Sequence, residues 1–256
     1  MAPSRTSTSS RGQSDGPAPT TVLLVRHGQT PTTGAVLPGR APGLHLGDAG
    51  IAQAERAAAR IAALGREAAA PDDAAKAEAS KRSAKAKKKA AEPPRPRGVT
   101  AVYASPLERT QETAKPIAKA TKLRVRTHAG LLECDFGAWT GRNLADLRKL
   151  PEWNAVQRYP SGFRFPRGES FAEMQTRMCG ALADLVAKHP GETIVAVSHA
   201  DTIKAAVAAA MGTHLDLFQR IVVSPCSITA ITYTAGGPIV LAVNSTGDDL
   251  TTLVPS

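Results

Sequence analysis

The sequence predicts an α/β fold: a three-layer sandwich whose mostly parallel central sheet, with one antiparallel edge strand, carries helices on both faces. Three observations predict it. Short apolar runs rich in β-branched residues alternate with helical patterns along most of the chain, as βαβ units require. Those runs are apolar at consecutive positions, which suits strands covered on both faces. The last two, Ile228–Tyr233 and Ile239–Val243, are separated only by Gly236-Gly237-Pro238, so they read as a late hairpin supplying the antiparallel edge.

Residues 1–20 are mostly Ser, Thr, Pro and Gly with scattered arginines, and are expected to be a disordered tail without a signal-peptide apolar core. The first strand is expected at 22–25, ending at Arg26-His27-Gly28. Asp48 is placed to cap a helix over about 49–65, with Ile51, Ala54, Ala58, Ile61 and Leu64 on one face. A second strand follows at Val99–Tyr103. Pro106 suits the first turn of a helix bearing Leu107, Thr110, Ala114 and Ile117. A short strand is expected at Leu123–Arg126.

The stretch 128–170 is irregular apart from a helix near 143–150, and a connection of that length is usually a lid or binding surface. Its aromatics, Trp139, Trp153, Tyr159, Phe163 and Phe165, could line a pocket or pack the lid. Glu169 and Ser170 open a helix to about His189. Thr193–Val197 is a buried strand, and Asp201–Met211 a helix.

Charge is unevenly spread. The net charge is +10, and between Arg66 and Arg97 ten Lys or Arg stand against five Asp or Glu, so half the excess lies there. This Ala/Lys/Pro-rich stretch has no apolar stripe to pack, and reads as a solvated insertion at about 66–98 interrupting a single domain over 21–256. Docking to nucleic acid through it stays open but lacks interleaved aromatics or a supporting fold motif. No segment approaches the roughly 18 uninterrupted apolar residues of a membrane span. Three well-separated cysteines, Cys134, Cys179 and Cys226, offer neither a disulfide framework nor a Cys-x-x-Cys pair, which points to a cytoplasmic setting.

Chemistry-bearing residues recur at strand ends. Arg26-His27 follows the first strand, Ser105-Pro-Leu-Glu-Arg109-Thr110 the second, and Ser198-His199-Ala200 the strand at 193–197. Any one alone would be a packing or surface residue. Together they bring two arginines and two histidines to one sheet edge, where open α/β sheets bind ligands. Such a cluster suits a phosphoryl group, whose transition-state charge is spread over three oxygens. Arginine's planar fork matches phosphate, and a neutral imidazole can attack phosphorus to give a phosphohistidine. A protonated second histidine could donate to a transferring oxygen. The leaving alkoxide needs a carboxylic acid whose pKa is raised above its usual 4.3 or so. No cofactor or metal is called for, since no carboxylate cluster to hold a metal stands out.

With these motifs in order, joined by Glu133-Cys-Asp-Phe-Gly137-Ala-Trp-Thr-Gly141 and Pro166-Arg-Gly-Glu-Ser170, the chain resembles the histidine phosphatase superfamily, with its phosphoglycerate mutase-like fold, from Thr21 to Leu250 apart from the insertion. Its C-terminal half resembles an actinobacterial branch of probable phosphomutases. The resemblance implies His27 as the phospho-accepting nucleophile and Glu133 as the proton donor, with Asp135 as the fallback. It assigns Arg26, Arg109 and His199 to the phosphate pocket, with Thr33, Arg40 and Ala200 as further phosphate contacts. Thr33 stands where the family often has Asn, and Ala200 where Gly usually follows the second histidine.

The implied activity is metal-independent hydrolysis of a small phosphorylated metabolite. The alternative is a phosphomutase that returns the phosphoryl group to a second hydroxyl. A third is a non-catalytic binder of phospho-ligands or nucleic acid. An acidic Asp135 beside Glu133 weighs against a dedicated phosphoglycerate mutase, because it would repel a substrate carboxylate.

Overall fold

A computed structural model describes residues 17–67 and 98–247. Residues 1–16 of the expected N-terminal tail and most of the basic insertion therefore lie outside the described residues, and Thr20, expected in the tail, already belongs to the first strand. The elements are β1 (Thr20–Arg26), α1 (Asp48–Glu67), β2 (Val99–Ala104), α2 (Glu108–Thr121), β3 (Val125–Thr127), α3 (Leu144–Leu147), α4 (Glu152–Arg158), α5 (Phe171–Lys188), β4 (Thr193–Ser198), α6 (Ala200–Ala210), β5 (Ile228–Thr234) and β6 (Gly237–Ser245).

The six strands form one sheet in the order β3-β2-β4-β1-β5-β6. The first four run parallel; β5 runs antiparallel to β1, and β6 returns outside it. The late hairpin thus makes this edge, with its antiparallel strand one position in. Its turn is Ala235-Gly236, since Thr234 already pairs with Gly237. Pro238 then sits in the edge strand, where a missing N–H does no harm.

Alternation along the strands divides the core. Val22, Leu24, Tyr103, Ile194 and Ala196 face α5 and α6, meeting Met178, Leu182, Leu185, Ile203 and Val207. Leu23, Val25, Val102, Val195 and Val197 face the opposite way onto Ala58 and Ile61 of α1 and Ala114 and Ile117 of α2. A third cluster, around Phe136, Trp139, Phe165, Phe171 and Phe218, lies beyond the sheet.

The more informative differences from the sequence reading lie at α2, at β3 and within 128–170. Helix α2 begins at Glu108, with Leu107 as an extended N-cap, so Pro106 precedes the helix. Strand β3 begins later than expected because Lys122 adopts a left-handed conformation (φ 58°) and Leu123 N–H closes onto Ala118 O, making both part of the helix terminus. Within 128–170 the helix near 143–150 shortens to α3, and α4 follows it. By contrast, α5 opens at Ser170 as expected; the structure adds that the Ser170 side chain caps it, in a capping box with Glu173.

Candidate active site

Register decides which residues meet. Val25 and Arg26 of β1 lie opposite Val197 and Ser198 of β4, and Ala104 of β2 lies opposite Val197. These three parallel strands therefore end level. His27 N–H donates to Ser198 O (3.0 Å) and Ser105 N–H to Val197 O (3.0 Å), so His27, Ser105 and His199 leave the sheet side by side.

The imidazole of His27 is buried, its centroid 5.3 Å from that of His199. Its Nδ1 lies 2.7 Å from Gly28 O. A carbonyl can only accept, so Nδ1 carries the proton and Nε2 keeps a free lone pair. Burial, then the cations of Arg109 and Arg26, hold the ring's pKa well below the ordinary 6.5, which keeps it neutral. Gly28 is required by close approach: a Cβ there would lie 2.5 Å from Gly50 O, because the turn rests on the first turn of α1.

Arg109 reaches the same edge from the first turn of α2 and is fully buried. Its Nη2 donates to Gly39 O (2.8 Å) and to His199 Nδ1 (3.2 Å). With Nδ1 accepting, His199 must carry its proton on Nε2, which donates to Ser105 Oγ (3.0 Å). Burial, with Arg109, His27 and Arg26, lowers the pKa of His199 strongly. The second histidine is thus held neutral in this state and orients Arg109; donation to a transferring oxygen, one role open to a protonated His199, is not available to it in this form. Arg26 Nη1 donates to Val223 O (2.7 Å). Three further donors, Arg26 Nε and Arg109 Nε and Nη1, are buried with no hydrogen-bond partner. Burial lowers the pKa of both guanidiniums while Glu133 raises it, and arginine stays charged regardless. Two adjacent cations with orphaned donors make a site for an anion.

The buried carboxyl of Glu133 belongs to the same charge cluster. Burial, reinforced by the negative charge of Asp201, pushes its pKa up from 4.5 to about 7, against the opposing pull of the Cys134 N–H, Arg109 and Arg26. Its Oε1 accepts from Cys134 N–H at 3.0 Å. Asp135 points elsewhere. Its side chain is 43% exposed. Oδ1 caps the following turn by accepting from Gly137 N–H (3.0 Å). The geometry therefore favours Glu133 over the fallback. Backbone crossing fixes this loop: a Cβ on Gly137 (φ 49°) would meet Pro166 O at 2.2 Å, and one on Gly168 would meet Asp135 O at 2.3 Å.

Other expected phosphate contacts are only partly gathered in. Arg40 does not point its guanidinium at an open site: Nε donates to Glu133 O (2.8 Å) and Nη2 to Glu169 (3.0 Å). Thr33 Oγ1 accepts from Thr30 N–H (2.8 Å), closing a local turn. Ala200 opens α6 immediately after the N-cap His199. The aromatics pack. Trp139, Phe163 and Phe165 are buried, Trp153 stacks on Trp139 (6.3 Å between centroids), and Tyr159 is exposed.

Sequence reasoning missed Ser105 as the partner of His199. It also missed Asp201 as the charge that lifts Glu133, although Asp201 lies two residues after His199. Arg177, which clasps the Glu133 loop, carried no local signal at all. The three cysteines are free, and among the described residues no helix is long and apolar enough to cross a membrane.

Comparison with known proteins identifies the family. The family model of the histidine phosphatase superfamily (branch 1) matches residues 77–246, which takes in Arg109, Glu133 and His199, with Arg26-His27-Gly28 lying before it. Phosphoserine phosphatase 1 of Hydrogenobacter thermophilus is 31% identical over 147 residues, covering 57% of this chain and 70% of that protein. The probable phosphoglycerate mutase GpmB of Klebsiella pneumoniae is 33% identical over 139 residues, 53% of this chain and 64% of that one. For other relatives the chain spans from 42% to 74% of their length. The mycobacterial glucosyl-3-phosphoglycerate phosphatase Rv2419c has the same fold, with a TM-score of 0.68 over 89% of this chain and 99% of that one at 21% identity. On the family model, which spans more than half of it, the chain belongs to the histidine phosphatase superfamily, branch 1.

Proposed function

We propose that the protein hydrolyses a small phosphomonoester through a phosphohistidine on His27, without a metal ion. The observation that carries this reading is the set of buried, unpartnered donors on Arg26 and Arg109 beside a neutral imidazole whose Nε2 lone pair is free. The phosphate dianion would satisfy those donors and offset the two guanidinium charges.

Nε2 of His27 attacks phosphorus as the ester P–O bond breaks. The developing imidazolium keeps its Nδ1–H on Gly28 O. Glu133, protonated over much of the range up to about pH 7, gives its proton to the leaving oxygen. The resulting carboxylate takes a proton from water as that water attacks phosphorus. The N–P bond breaks, inorganic phosphate leaves, and His27 and Glu133 return to their starting states. His199 and Ser105 keep the Arg109 fork aimed at the phosphoryl oxygens throughout.

A second reading, transfer to another hydroxyl, draws support from the likeness to the probable mutase GpmB. It would require the phosphohistidine to be kept from water until the second hydroxyl arrives. The test is a panel of phosphorylated metabolites assayed separately for phosphate release and isomerisation, with p-nitrophenyl phosphate as the generic substrate and EDTA present throughout. Phosphate release unaffected by EDTA is expected, together with an acid-labile phosphoenzyme that His27→Ala abolishes. Isomerisation without phosphate release would replace the hydrolase reading by the mutase one. Unchanged labelling in His27→Ala would remove His27 from the mechanism.

A further inference from the structure

The backbone around Glu133 is gripped by two arginines that share one carboxylate. Arg177 Nη1 donates to the carbonyls of Gly130 and Leu132, both at 2.8 Å, and its Nη2 reaches the Glu133 carbonyl at 3.3 Å. Arg40 Nε donates to that same Glu133 carbonyl at 2.8 Å. Glu169 ties the two together: Oε1 accepts from Arg177 Nε (2.8 Å), while Oε2 accepts from Arg177 Nη2 (3.0 Å), Arg40 Nη2 (3.0 Å) and the Asp135 N–H (3.2 Å). The Glu169 side chain is 13% exposed and that of Arg177 22%.

This arrangement solves a specific problem. A proton donor must be held in place and yet remain able to gain and lose its proton. A guanidinium bound directly to its carboxylate would fix the position but stabilise the ionised form. Here the charges grip the main chain, and the Glu133 carboxyl accepts its hydrogen bond from its own neighbour, Cys134 N–H. Glu169 neutralises part of the guanidinium charge, so the bracket adds little net field at the carboxyl.

We propose that Arg40, Glu169 and Arg177 form a positioning bracket for Glu133, acting on proton delivery to the leaving group without touching the substrate. This rests on the reading of Glu133 as the proton donor. Leaving-group chemistry separates such a role from a merely structural one. An alkyl phosphate needs its departing oxygen protonated, whereas p-nitrophenolate departs with little help. Misplacing the acid therefore slows the first selectively, and loss of fold slows both alike.

The experiment compares kcat/KM for glycerol 2-phosphate and p-nitrophenyl phosphate in wild type, Arg177→Lys and Glu169→Gln. On the order of a 10- to 100-fold loss is expected for the alkyl ester and about threefold or less for the aryl ester. Inhibition by orthovanadate should stay within about twofold of wild type, because the phosphate pocket is intact. Equal losses on both esters would overturn the proposal. Glu133→Gln is the control for the underlying reading: if it shows no leaving-group dependence, Glu133 is not the donor. A second measurement needs no turnover. In a carboxyl-carbon NMR titration, Glu133 should move from about 7 toward the ordinary carboxylate range in Arg177→Lys as its loop loosens and water enters. An unchanged titration would also overturn the bracket.

Discussion

Replacing Glu133 by glutamine should disable proton delivery and at the same time stabilise the protein at alkaline pH. The carboxyl is buried, and its pKa is raised in the fold from 4.5 to about 7. A folded chain that holds this proton more tightly than the unfolded chain gains stability from it below about pH 4.5, loses that gain progressively as pH rises, and has lost it above about pH 7. At about 1.4 kcal/mol per pH unit, the rise corresponds to roughly 3 kcal/mol. Glutamine has nearly the same shape, can still accept from Cys134 N–H, and does not titrate. The unfolding free energy of Glu133→Gln minus that of wild type should therefore increase by roughly 3 kcal/mol between about pH 4.5 and 8. Taking this difference cancels the titrations that the two proteins share. Urea unfolding followed by fluorescence of the stacked Trp139 and Trp153 measures it, while alkyl phosphate turnover in the same variant should fall by about 10²- to 10⁴-fold. Parallel stability profiles across that pH range would refute the argument, because they would mean that Glu133 carries its ordinary pKa in the folded state.

Two further perturbations probe the frame. Gly28→Ala places a Cβ 2.5 Å from the Gly50 carbonyl oxygen, backbone against backbone, so it should destabilise the protein by about 1–3 kcal/mol and displace His27; an unchanged Tm with full turnover would show that the turn has room. Deleting residues 70–96, the core of the basic stretch, should leave kcat/KM for p-nitrophenyl phosphate near the full-length value, and a collapse of activity would show that this segment serves the site.

Much of the architecture was legible from local pattern. The apolar run Thr21–Val25 reads as a buried strand, and Glu169-Ser170 as the opening of α5, because both signals depend on neighbours within a few residues. Boundaries at Pro106 and Leu123 were misjudged for a related reason. Whether a proline precedes a helix or enters it, and whether Lys122 turns left-handed, depends on how the adjoining chain leaves the sheet.

For the candidate site, local motifs specified the chemical types delivered to the strand ends: His27 with Arg26 after β1, Arg109 after Ser105, and His199 after Ser198. Their convergence followed from topology, since parallel strands send their C-terminal ends to one edge. Which side chains face the cluster and which support it depends on packing between distant segments. The family resemblance puts Glu133 first and Asp135 second as the acid; in the fold Glu133 is buried beside two guanidiniums, while Asp135 is half-exposed and caps a turn. Arg40 belongs to the Glu133 carbonyl, 93 residues away, and Arg177 reaches the same atom from 44 residues away. Contacts of that kind are set by packing across the fold, and no local spacing encodes them.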